Sequence, residues 1–186
     1  MGSFTEALYL GMYHPPGALR AWHRLTTGMP SALDSPAEYG RVALALARLM
    51  GLNAGVLGRS TLHLFLDLVY SLSRERVMFF LDSGLYPVGR WAATRAAVPA
   101  TRVALFRHHD VGSLRQRLVR GDLDACRPIV VTDGWCPRCG RPAPLHEYLQ
   151  QVRRFRGRLI VDDTQALGVL GRRDRAGTPY GWGGGG

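Results

Sequence analysis

Leu159-Ile160-Val161-Asp162-Asp163-Thr164-Gln165-Ala166-Leu167-Gly168-Val169-Leu170-Gly171 is the stretch on which the fold turns. It opens with a short apolar run of β-formers and breaks off in two carboxylates. A continuous apolar run of this kind fits a strand buried on both faces, not an alternating, half-solvated one. The same unit occurs upstream, at 54–57, 77–81, 103–106 and 129–132. Helix-length stretches lie between these runs, at 61–73, 87–97, 111–119 and 145–155. Strand–helix alternation over this length predicts a mostly parallel sheet in an α/β fold, with helices on both faces in three α/β/α layers.

The residues that follow each run carry the functional signal. Ser60 and Thr61 follow the first, Asp82 the second, and His108, His109 and Asp110 the third. Asp133 follows the fourth, and Asp162 with Asp163 the fifth. Any one of these could be a plain helix cap, the usual role of Ser, Thr and Asp after a strand. Five in succession mark one edge of the sheet, and open α/β sheets bind ligands outside the carboxyl ends of their strands. The pattern locates a ligand edge without naming the ligand. The two histidines read more readily as packed or solvent-facing turn residues than as catalytic ones.

Towards the N-terminus the pattern dissolves. Residues 1–35 are loop-like, punctuated by Pro15-Pro16-Gly17 and Thr27-Gly28-Met29-Pro30. Asp34-Ser35-Pro36 then opens a helix, with Glu38 inside it and Val42, Leu44, Ala45, Leu46, Leu49 and Met50 along it, ending at Gly51. The expected division is an N-terminal arm over 1–35 and a main domain over 36–186.

A chain of 186 residues with 46% hydrophobic side chains can bury a sizeable core. Its formal charge is +10, and all 24 cationic Lys or Arg positions are arginine. The arginines are dispersed, except for Arg153, Arg154, Arg156 and Arg158 and for Arg172, Arg173 and Arg175. No recognition motif accompanies them, so no specific nucleic-acid partner is expected. Arginine without lysine also fits the codon usage of a GC-rich genome. No apolar run reaches the roughly 20 residues of a membrane helix, since 62–72 is interrupted by His63 and Asp67. The start, Met1-Gly2-Ser3-Phe4-Thr5-Glu6, lacks the basic and apolar regions of a secretory signal, so a cytoplasmic protein is expected.

Three cysteines exclude a disulfide framework, but Cys136-Pro137-Arg138-Cys139-Gly140 pairs two of them. Half a zinc knuckle, a redox dithiol and a plain loop all remain open readings. For zinc, Cys126 and His146 are the nearest further ligands along the chain.

Five short matches, in order, carry a resemblance. They are Ala7-Leu8-Tyr9-Leu10-Gly11, Thr26-Thr27-Gly28, Phe106-Arg107-His108-His109-Asp110, Ala143-Pro144-Leu145 and Val161 through Gly171. Together they resemble the α-oxoamine synthase-like branch of the aminotransferase class I/II family, which are fold-type I pyridoxal-phosphate enzymes. The resemblance implies the incomplete large domain of a fold-type I PLP-dependent transferase over 36–186, with substrate-side loops in the arm. It implies pyridoxal 5'-phosphate as cofactor, an amino-acid or acyl small-molecule substrate, no membrane, and a homodimer in the intact family form.

The implied site residues are specific. Asp162 would pair with the pyridinium nitrogen of the cofactor, keeping the ring an electron sink. Ser60, Thr61 and Leu62 match the turn whose backbone N–H groups hold the phosphate at a helix start, with Thr61 in place of glycine and Leu62 in place of an aromatic. Tyr86 stands where the family stacks a histidine on the ring, and Gln165 where it has a histidine after the aspartate. Pro137 replaces a serine that would bond the ring hydroxyl. The family also needs a Schiff-base lysine, and this chain contains none. The expectation is therefore a piece of such a transferase, with at most residual cofactor binding and no catalytic residue of its own. The alternative is a non-catalytic metal-binding or interaction module built on Cys136 and Cys139.

Overall fold

The computed structural model describes residues 37–95, 101–121, 123 and 125–167. The expected arm, the motifs at 7–11 and 26–28, the cap at 34–36 and the glycines at 168 and 171 lie outside the described residues. The chain falls into two compact units, one ending at Leu57 and one beginning at Gly58. The first contains α1 (Ala37–Leu49), with Ala43 and Ala47 buried. The helix stops where Gly51 adopts a φ of +67° and Leu52 N–H turns back to the Ala47 carbonyl at 2.7 Å.

The second unit carries the sheet. Its elements are α2 (Thr61–Ser73), β1 (Val77–Asp82), α3 (Pro87–Arg95), β2 (Arg102–Phe106), α4 (Val111–Arg120), β3 (Arg127–Asp133), the short strands β4 (Trp135–Cys136) and β5 (Arg141–Pro142), α5 (Leu145–Arg153) and β6 (Arg158–Asp162). Strands β2-β1-β3-β6 form one sheet in that order, and every pair is parallel. β4 and β5 form a separate antiparallel hairpin.

Alternation along β1 sets the layers. Val77, Phe79 and Leu81 pack with Phe65, Val69 and Leu72 of α2 and Ala92 and Ala93 of α3. Met78 and Phe80 point the other way, onto Leu114 and Leu118 of α4 and Tyr148 and Val152 of α5. Helices on both faces make three layers, as the strand–helix alternation predicts. The central strands β1 and β3 are buried nearly throughout, whereas the edge strands β2 and β6 are only partly covered.

One predicted strand is absent. Residues 54–57 form no ladder, and Val56 is 83% exposed. A parallel strand gains its stability from pairing and from cover on both faces, and residues 54–57 are unpaired and exposed throughout. The other four runs are strands, so four strand ends, not five, form the polar edge. No described helix is long and apolar enough to cross a membrane.

Candidate functional site

The chain runs from β1 outward to β2, then returns to place β3 on the opposite side of β1. Such a reversal opens a crevice at the strands' carboxyl ends. Here the register sets Asp133 beside Asp162, while Asp82 ends the neighbouring strand. A cavity of about 320 Å³ sits at this edge. The start of α2 contributes Ser60, Thr61 and Leu62, and the turn into α3 with its first residues contributes Tyr86 and Val88. Asp133 and Pro137 line it from the end of β3 and the hairpin loop, and Asp162, Thr164 and Gln165 from the end of β6. The six residues singled out in the sequence, Ser60, Thr61, Leu62, Tyr86, Asp162 and Gln165, thus share one cavity.

Each wall has a local cause. Ser60 is extended, and its Oγ accepts from the His63 N–H at 3.4 Å, which starts α2 there. The first N–H groups of a helix have no partner within it, so this end of the cavity presents donors and a positive dipole end. Tyr86 donates its backbone N–H to both oxygens of Asp133, at 3.1 and 3.3 Å. Asp162 is half-buried, and its Oδ1 accepts from the Thr164 N–H at 3.1 Å and the Thr164 hydroxyl at 2.5 Å. Gly134 follows β3 where a Cβ would run into the Asp163 carboxylate and Val161, so glycine here leaves the Asp163 side chain its place.

Burial lifts the Asp133 carboxyl to about 6; the Tyr86 N–H opposes this, and the Asp162 and Asp82 charges add to it. The sequence marks Asp133 only as a strand end. Its place in the cavity depends on the β3–β6 register, which no local pattern reveals.

A second cluster surrounds Asp82, which is fully buried. Its carboxylate accepts from the N–H groups of Gly84 at 2.7 Å and His109 at 3.2 Å, and from the hydroxyls of Thr132 and Tyr148 at 3.4 Å each. It also holds His108 Nδ1 at 2.7 Å. The far nitrogen of that ring, Nε2, lies 3.3 Å from Cys139 Sγ. Burial pulls His108 down, but its bonds to Cys139 and Asp82 prevail and leave it raised. The His108 bond brings the Cys139 thiol down to about 7. His109 stacks on His108 with centroids 3.7 Å apart, and burial and that neighbour lower it. The histidines are thus half-buried and anchored, not solvent-facing.

The metal ligand set drawn from sequence spacing needs correction. Among the described residues, the only group of three or more metal-competent side chains is His108, His109 and Cys139. Cys126 instead meets Arg102 Nη2 at 3.7 Å, and His146 pairs with Gln150 at 2.8 Å. Nearness along the chain misleads here because β4 and β5 fold Cys139 back towards the end of β2.

No family model matches the chain. It is 30% identical over 172 residues to an 8-amino-7-oxononanoate synthase of Mycobacterium ulcerans, covering 88% of this chain and 42% of that protein. A synthase of the same name from Mycolicibacterium gilvum is 29% identical over 176 residues, covering 90% and 44%. The chain therefore spans about two fifths of the length of these relatives. Among solved structures, serine palmitoyltransferase from S. paucimobilis with bound PLP superposes with a TM-score of 0.68 at 20% identity, over 76% of this chain and 36% of that one. An 8-amino-7-oxononanoate synthase from Francisella tularensis gives a TM-score of 0.59 at 17% identity, over 74% and 38%.

Proposed function

Because the chain belongs to the α-oxoamine synthase-like branch of the fold-type I pyridoxal-phosphate enzymes, we propose that its cavity is the cofactor half-site of such a transferase. One observation carries this reading: a helix start with spare donors and a strand-end carboxylate open into the same cavity of about 320 Å³. An anionic phosphate suits the first and a protonated ring nitrogen the second, so the donor set fits pyridoxal 5'-phosphate.

In this reading the Thr61 and Leu62 backbone N–H groups and the Ser60 and Thr61 hydroxyls bind the phosphate. Asp162 holds a proton on the ring nitrogen, and the Thr164 hydroxyl and N–H fix the carboxylate's direction. Tyr86 covers a ring face and excludes water there. Asp133 positions Tyr86 through the backbone bond. Gln165 donates or accepts at the ring hydroxyl without titrating, and Pro137 offers no donor. When bound, the cofactor supplies an electron sink for a carbanion on an amino-acid substrate. With no lysine side chain in this chain to anchor it covalently, the cofactor would be held by non-covalent contacts alone. Condensation of an amino acid with an acyl donor, and a homodimer, are our proposals for the complete assembly in which this half-site works.

Titration of the purified chain with pyridoxal 5'-phosphate, followed by tryptophan fluorescence and by borohydride treatment with mass spectrometry, tests the reading. Saturable binding that dialyses away, leaves no side-chain adduct and weakens at least tenfold in Asp162→Ala is expected. Absence of binding at millimolar cofactor, or equal binding by Asp162→Ala, overturns it.

A further inference from the structure

The cysteine hairpin and the paired histidines play no part in the cofactor reading, yet the fold brings them together. We propose that His108, His109 and Cys139 form a binding site for a zinc-like divalent cation, separate from the cofactor cavity. None of the three lines that cavity, and the inference is independent of the cofactor reading.

Geometry carries the case. The three donor atoms lie within 4.8 Å of one another. His108 Nε2 is 3.3 Å and His109 Nδ1 is 4.0 Å from Cys139 Sγ. A tetrahedral ion with bonds of about 2.0 Å to nitrogen and 2.3 Å to sulfur places its N and S ligands about 3.5 Å apart. The two N···S spacings straddle that value, and a turn of the His109 ring out of its stack on His108 brings the second nitrogen to the ion.

Asp82 supplies the outer support such a site needs. It occupies His108 Nδ1 at 2.7 Å, which leaves Nε2 as that ring's ligand atom and turns it towards Cys139. A buried carboxylate behind a ligating histidine fixes its tautomer and orientation. Asp82 is itself fixed by four further donors. Gly84 is also required, because a Cβ there would collide with the His108 ring.

The loop has the shape of a metal knuckle. Cys139 N–H points at Cys136 Sγ at 3.5 Å, Gly140 N–H bonds the Cys136 carbonyl at 2.9 Å, and Gly140 takes a φ of +65°. His109 also holds a left-handed φ of 53°, an uncommon conformation outside glycine. The fourth position falls to water. On binding, the Cys139 thiol gives up its proton to solvent and ligates as thiolate.

The test uses the purified full chain, stripped with a chelator and titrated with Co²⁺ and then Zn²⁺. The expected result is one equivalent of Co²⁺ per chain, with tetrahedral d–d bands and a thiolate charge-transfer band that Zn²⁺ abolishes. Cys139→Ser should lose the charge-transfer band, His109→Asn should bind at least tenfold more weakly, and Cys126→Ser should match wild type. Substoichiometric metal, or a band that survives in Cys139→Ser, overturns the proposal. X-ray absorption on the zinc-loaded wild type keeps it falsifiable should the variants not fold. A first shell with sulfur and imidazole supports it, and a shell of oxygen alone overturns it.

Discussion

Asp133 receives the Tyr86 backbone N–H on both carboxylate oxygens, tying the end of β3 to the turn that forms one wall of the cavity. The link joins residues far apart in sequence and costs the protein something, because the carboxylate is buried beside two others.

That cost gives a pH dependence. A carboxyl raised to about 6 in the folded chain binds more protons there than when unfolded, where it titrates near its ordinary ~3.9. Stability from this group is therefore greatest at acid pH and falls as pH rises from about 4 to about 6. Asp133→Asn keeps an acceptor for the Tyr86 N–H and removes the charge. It should melt higher than wild type at pH 7 by the equivalent of ~1 kcal/mol after discounting for solvent screening, with the difference vanishing near pH 4. Melting curves across that range check it.

Asp82 should be far less forgiving. Asp82→Ala strands a histidine, two backbone N–H groups and two hydroxyls around a buried void. The expected loss is ~3 kcal/mol or more, read as a lower urea midpoint. Tyr148→Phe removes one of those donors and should cost only about 1 kcal/mol.

Ser60 separates structure from binding. Ser60→Ala loses the cap of α2 and should destabilise by ~1 kcal/mol. Ser60→Asp restores a cap but sets a negative charge where the phosphate is proposed to sit. It should recover the melting temperature while cofactor affinity stays low, and parallel melting and fluorescence titrations distinguish the two effects.

Gly134→Ala should act on the cavity from behind. The new methyl meets the Asp163 carboxylate and Val161, so the Asp163 side chain must give way beside the cavity. A cost of about 1–3 kcal/mol and weaker cofactor binding are expected, measured by the same two methods.

Much of this fold was legible in the chain. Helix α2 occupies the predicted span 61–73, because the Ser60 cap and the periodic apolar residues mark both of its ends. The strand runs from 77 onward were legible because burial on both faces leaves an unbroken apolar signature. Residues 54–57 imitate that signature in composition, yet only pairing makes a strand, and pairing is not local. The six cavity residues came from a motif resemblance, and the partnership of Asp133 with Tyr86 from neither motif nor period. Likewise the CPRC motif pointed towards Cys126 and His146, whereas the hairpin turns Cys139 to His108 and His109.

The sheet order has a further consequence. Among the described residues β6 has a neighbour on one side only, yet it delivers Asp162 to the cavity. Outermost strands open at lower free energy than inner ones, and a ligand that needs the closed form loses apparent affinity in proportion to the open fraction. Whatever lends β6 a second hydrogen-bonded flank would therefore sharpen cofactor capture from a distance, without contributing one atom to the pocket.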